Sequence, residues 1–121
     1  MKRDLEQRVL EFAVRVVRLF REVLVKDAAG RVIGIQLLKS GTSIGANVEE
    51  AQGAHSKRDF VAKMTIAQKE ARESAYWLKV IAASDIVPES RIAGLRDEAE
   101  QLKLITASIV LSARRNLPKR T

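Results

Sequence analysis

A chain of 121 residues suits one ordinary domain and is too short for two, so a single core over residues 1–121 is expected. It has no Cys, which excludes disulfides and thiolate metal sites, and only two Pro and six Gly interrupt long periodic segments, which points to an all-α fold. Lys and Arg number 22 against 15 Asp and Glu, giving a formal charge of +7 and a pI near 10.1, a balance that suits a polyanionic partner or serves solubility alone.

No apolar run approaches the roughly 20 residues that span a bilayer. Met1 leads directly into charged amphipathic sequence with no signal-peptide apolar centre. A soluble cytoplasmic protein without membrane association is expected.

The first helix is predicted over residues 4–25, with Asp4 as its N-cap and Leu5, Val9, Phe12, Val16, Leu19 and Val23 on one face. Leu10, Ala13, Val17, Phe20 and Leu24 widen that face to roughly half the circumference, beyond the usual stripe of about 100°. The surplus exceeds what one bundle interior needs. Lys26 to Gly30 supplies a turn, with Gly30 suited to a helix end.

The second helix is predicted over residues 31–54 on the line Ile33, Leu37, Ile44, Val48, Ala51. It carries Gly34, Gly41 and Gly45 on one side, each costing up to about 1 kcal/mol relative to Ala, where the missing side chains would let another helix come close. Gln36, Ser40, Ser43 and Asn47 form a polar stripe on the other flank. A solvated face and a hydrogen-bonded helix or oligomer seam both fit it, because short polar side chains compete with helix formation and need a reason to cluster.

The third helix is predicted over residues 57–84. Ser56 and Asp59 form a variant capping box, and Phe60, Met64, Ala67, Ala71, Ser74, Leu78 and Ile81 alternate by fours and threes. Ile66, Tyr76, Trp77 and Val80 add bulk to the other side, so a second neighbour is expected, with Ile66 and Trp77 as candidate interface residues. The fourth helix, over residues 88–115, opens at Pro88. Its inner stripe is Ile92, Leu95, Ala99, Leu102, Thr106, Ile109 and Ala113, and Leu104, Ala107 and Leu111 form a second patch. Short connections between long helices give an antiparallel up-down-up-down four-helix bundle.

Two blocks carry a resemblance. Ser40-Gly-Thr-Ser-Ile-Gly-Ala-Asn-Val-Glu-Glu-Ala51 presents a Ser-x-x-Ser-Ile-x-x-Asn-x-x-Glu pattern through Ser40, Ser43, Ile44, Asn47 and Glu50. Asp59-Phe60, then Lys63 and an Ala-rich helix ending in Tyr76-Trp77-Leu78, presents the other. Together with the length and helix layout, they resemble the four-helix-bundle proteins encoded in intervening sequences of bacterial 23S rRNA genes. Ala51-Gln52-Gly53 departs from the pattern, since many relatives place Gly directly after the Glu. The resemblance implies a homopentameric ring. A similar protein is the accessory factor of diversity-generating retroelements, a basic pentamer that associates with a reverse transcriptase and binds nucleic acid. RNA or DNA, a reverse transcriptase and further copies of the chain are therefore the partners the resemblance implies.

Catalytic chemistry finds little footing. His55 is the only His and lies beside a turn. Glu49, Glu50, Glu70 and Glu73 lack the Glu-x-x-His pairs of a di-metal bundle. Gly41 to Gly45 lacks the Lys and preceding strand of a phosphate loop. Neither an enzyme, a cofactor nor a metal is expected. Trp77 could stack a base or pack between helices, and packing is favoured.

The basic residues carry the functional expectation. An antiparallel bundle gathers Lys2, Arg3, Lys57, Arg58, Arg114, Arg115, Lys119 and Arg120 at one pole, with Asp4 and Asp59 as acidic neighbours. Arg114 and Arg115 suit a helix C-terminus for its own sake, but Lys57 and Arg58 stand at a helix N-terminus, where the dipole opposes them and anions bind. This pole is expected to contact phosphates. Arg8, Arg15 and Arg18 form a second set along helix one, serving either phosphates or Glu11 and Glu22. The function expected is a non-catalytic, oligomeric scaffold that binds nucleic acid without reading sequence. The alternative is a scaffold for an acidic protein.

Overall fold

Each periodic segment becomes a helix with one buried stripe. The computed structural model describes residues 2–118, with side chains from Asp4 to Pro118. It contains α1 (Lys2–Glu22), α2 (Ala28–Gln52), α3 (Lys57–Ala83) and α4 (Glu89–Arg115), with a single 3-10 turn, Leu24–Lys26, between the first two. They form an antiparallel up-down-up-down bundle. Close backbone approaches run α1 to α2, α2 to α3 and α3 to α4, while α1 and α4 meet over the shortest stretch and the diagonal pairs face each other only across the core. Phe12 and Val16 of α1, Leu37 and Ile44 of α2, Met64 and Leu78 of α3, and Ile92 and Leu102 of α4 are wholly or almost wholly buried at the centre.

The first connection differs from expectation. α1 stops at Glu22 and α2 starts at Ala28, three residues before Arg31, because the Asp27 carboxylate caps it by accepting from the Gly30 amide at 2.7 Å. Gly30 thus lies inside the first turn of α2. A Cβ there would sit 2.7 Å from the Leu24 carbonyl oxygen, so glycine is required for close approach and not for ending a helix. Val23, expected on the inner face of helix one, is only half-buried beyond its end, and Leu24 fills the core instead.

α3 begins as expected, with the Ser56 hydroxyl accepting from the Asp59 amide at 3.0 Å. Between α3 and α4, Asp85 takes a left-handed conformation (φ 58°), tolerable for Asp, and Val87 plugs the core beneath the turn. Along α4 the inner stripe ends on Val110, with Ile109 and Ala113 half-buried. At about 3.6 residues per turn, Val110 lies five turns beyond Ile92, whereas a strict alternation of threes and fours drifts off the face.

The glycine side of α2 faces α1. A Cβ at Gly34 would lie 2.7 Å from the Phe20 ring and one at Gly41 3.1 Å from Val16. One at Gly45 would lie 3.4 Å from the Val9 side chain. On the polar flank only Ser40 is a seam between helices: it is buried, accepts from the Ser74 hydroxyl of α3 at 3.0 Å, and donates to the Leu37 carbonyl at 3.4 Å. Ser43 and Asn47 hydrogen-bond to carbonyls of their own helix, at Lys39 and Ser43, and with Gln36 remain half-buried.

The glycines therefore differ in what they tolerate. Gly41→Leu is expected to destabilise the fold by about 1–3 kcal/mol through overpacking against Val16. Gly45→Ala meets only ordinary contacts and should stabilise it by up to about 1 kcal/mol through helix propensity. Paired denaturant melts check both, and equal destabilisation in the two variants would contradict the assignment.

Candidate nucleic-acid interface

The pole is built where α3 starts and α4 ends. Lys57, Arg58, Arg114 and Arg115 are all exposed there. Arg58 donates to the Pro118 carbonyl at 2.8 Å, tying the chain after α4 to the start of α3, and Arg114 reaches the Thr65 hydroxyl at 3.5 Å. Lys57 and Arg115 have no side-chain hydrogen bond or ion pair among the described residues, and Lys57 overlooks an open groove with Phe60, Ala113 and Asn116. The side chains of Lys2, Arg3, Lys119 and Arg120 lie outside the described residues. The pole is less uniformly basic than expected: α2 ends there too, bringing exposed Glu49 and Glu50, and α1 adds half-buried Glu6. Among the described residues the exposed acids of the pole lie on the α1 and α2 side and its exposed cations on the α3 and α4 side.

Ion pairing is unevenly distributed. Arg8–Glu98 (2.7 Å), Arg91–Glu22 (3.3 Å), Arg96–Glu89 (2.6 Å) and Lys103–Glu100 (2.7 Å) all involve α4, and among the described residues α2 and α3 have none. Arg8 is therefore structural. Its guanidinium grips Glu98 in two hydrogen bonds (2.9 and 2.7 Å) and also donates to Gln101 (2.8 Å), bracing the loose α1–α4 seam. The Glu98 hydrogen bond raises the Arg8 pKa further. Arg15 and Arg18 border a small groove with Arg91 on the same seam, and neither pairs with Glu11 or Glu22.

α3 carries six cations, at Lys57, Arg58, Lys63, Lys69, Arg72 and Lys79, against the carboxylates Asp59, Glu70 and Glu73. Burial raises the Glu70 carboxyl above its ordinary value, nearby Glu73 raises it further and Lys69 opposes. Trp77 is half-buried and donates to Glu73 at 3.4 Å, whereas Tyr76 is the aromatic left exposed. Ile66 is exposed. Further apolar exposure occurs at Leu10, Val14, Val32 and Ile35 on α1 and α2, and at Leu104 and Leu111 on α4. Between α1 and α2 an open groove of about 500 Å³ is lined by Leu10, Ala13, Gly45 and Ala46 among others. His55 is exposed in the α2–α3 turn. Among the described residues no helix is long and apolar enough to cross a membrane.

Fold and surface together define an all-α, four-helix-bundle protein in which, among the described residues, none of the cations of α3 or of the last turn of α4 is in an ion pair. The chain belongs to the family of 23S rRNA-intervening sequence proteins, whose family model matches residues 2–108. It is similar to a solved protein of unknown function from the S23 ribosomal protein family of Bacteroides thetaiotaomicron. That protein is 37% identical, with a TM-score of 0.83 over 91% of this chain and 98% of the other. No curated protein matches it.

Because the folded-state pKa of Glu70 is raised, its ionised form weakens the fold. That weakening develops as pH rises through the raised pKa and is absent below the ordinary carboxylate value of about 4, where folded and unfolded chains are both protonated. Glu70→Gln should therefore melt higher than the parent at neutral pH, with the difference vanishing in acid. A pH series of thermal melts showing the opposite trend would contradict it.

Proposed function

We propose that this protein is a non-catalytic, ring-forming scaffold that binds nucleic acid through phosphate contacts at the α3–α4 pole. The observation that carries this reading is the segregation of charge. Carboxylates neutralise cations on and around α4's length, yet Lys57, Arg58, Arg114 and Arg115 are exposed at one end without an acidic partner. Arg114 and Arg115 suit the C-terminus of α4 by its dipole alone, but Lys57 and Arg58 gain nothing of that kind from α3. Cations at a helix N-terminus, where the dipole repels them, suit an anion that interacts with both. Contacts to phosphate give affinity and register without sequence selection.

The apolar surface supports assembly. Leu10, Val14, Val32 and Ile35 lie on α1 and α2, while Leu104 and Leu111 lie on α4. Two unlike patches suit a head-to-tail contact, which closes into a ring when the rotation allows. A pentamer is the closure that the resemblance to relatives implies, and a ring repeats the basic pole in every subunit, adding avidity. A reverse transcriptase is a partner suggested by the same resemblance.

Neutralising Lys57, Arg58, Arg114 and Arg115 together should weaken binding to unrelated RNA and DNA alike. It should also flatten the dependence of log K on log salt, by about one unit of slope for each phosphate no longer neutralised. Fluorescence anisotropy over a salt series measures this, and light scattering on the same preparations should return a multiple of the 13.5 kDa chain mass. A monomer would contradict the ring. An unchanged slope would contradict the pole, and no binding by the parent at low salt would favour an acidic protein partner.

A further inference from the structure

The outward face of α3 carries one sign of charge along its length. Its exposed positions include Arg58, Ile66, Lys69, Arg72, Tyr76 and Lys79, which recur at helical spacing. From Arg58 to Lys79 the stripe runs roughly 32 Å, at about 1.5 Å per residue. The acids of the helix, Asp59, Glu70 and Glu73, are half-buried rather than exposed, and Glu73, beside the stripe, accepts from the Trp77 indole. Acids on neighbouring α4 are already engaged, Glu89 by Arg96 and Glu100 by Lys103. Lys69, Arg72 and Lys79 have no ion pair among the described residues. The stripe begins at the pole, because Arg58 belongs to both.

Tyr76 is the feature that a simple phosphate track would not need. The residue is 55% exposed, and its ring centroid lies 5.1 Å from that of Trp77 at an interplanar angle of 68°. This edge-to-face contact restrains the ring while leaving much of it open to solvent. Arg72 stands four residues before it and Lys79 three after, one turn to either side on the same face. A restrained, exposed aromatic flanked by cations fits a nucleobase stacked on the ring, with adjoining phosphates at the two turns. Base faces are free to stack in a single strand and are covered by their neighbours in a duplex.

We infer that the outer face of α3 is a single-strand site, with Tyr76 stacking on a base and Lys69, Arg72 and Lys79 meeting the backbone. The inference rests on the nucleic-acid reading above and adds the class of strand and the residue that selects it. With one aromatic on the track, stacking is sequence-tolerant.

The test compares a labelled oligouridylate with a labelled RNA duplex, each titrated with the full-length protein, its Tyr76→Ala and Tyr76→Phe variants, and the pole variant. Tyr76→Ala should weaken oligouridylate binding about fivefold or more, the lower range for removing a base–aromatic stack. Duplex binding should be unchanged, and Tyr76→Phe, which keeps the ring, should bind both as the parent does. Equal weakening on both probes, no weakening on either, or a change in sedimentation mass on Tyr76→Ala would overturn the inference, the last by assigning Tyr76 to a subunit interface. Parent protein that binds duplex but not oligouridylate overturns it while leaving the phosphate-binding pole standing. Parent protein that binds neither probe at low salt removes both.

Discussion

Close approach of α2 to its neighbours is the constraint on which the rest of the bundle depends. Toward α1 the packing surface is made by Gly34, Gly41 and Gly45, where a Cβ would come within 2.7 to 3.4 Å of Phe20, Val16 and Val9. Toward α3 it includes the buried pair Ser40 and Ser74, whose hydroxyls satisfy each other at 3.0 Å. Small residues sacrifice helix propensity, up to about 1 kcal/mol for each glycine. Tight packing offsets that cost, because a void would forfeit dispersion attraction on both of its walls. With α2 wedged between α1 and α3, α1 and α4 are left as the loosest pair. Arg8 and Glu98 brace that gap with a bidentate bond, a geometry suited to partly buried positions.

This arrangement also distributes the charge. Carboxylates spent on the α1–α4 seam and along α4 are unavailable to α3, whose six cations face three carboxylates and no ion pair among the described residues. Excess positive charge destabilises a compact state through self-repulsion. Among the described residues, the unpaired cations of α3 and of the pole carry part of that cost, and the proposed phosphate contacts would offset it. The acidic residues at the end of α2, Glu49 and Glu50, face the same pole from the other side and would direct a polyanion toward α3 and α4.

The helices and their buried stripes are readable from the sequence because burial repeats at the helical period: Phe12 and Val16, Leu37 and Ile44, Met64 and Leu78 all fall where spacing puts them. The start of α2 is not, since Ala28 and Ala29 carry no periodic signal and Gly30 resembles a terminator until Asp27 is seen bonding to its amide. The polar flank of α2 divides in a way that spacing alone leaves open. Ser40 finds Ser74, 34 residues away, whereas Ser43 and Asn47 bond to their own helix. Arg8 finds Glu98, 90 residues along the chain, a pairing that no local pattern signals. Trp77, expected to pack, is half-buried, while the exposure of neighbouring Tyr76, roughly 100° away round the helix, depends on where the bundle ends and solvent begins.

Hydrogen exchange resolved along the chain tests the central role of α2 most directly, because amide protection follows the free energy of local opening. Slowest exchange is expected in the middle of α2, from Leu37 to Val48, and in the facing turns of α3 from Ala67 to Leu78, with faster exchange in the last turns of α4. Exchange in the middle of α2 as fast as in those last turns would contradict a bundle organised around the glycine and serine packing of that helix.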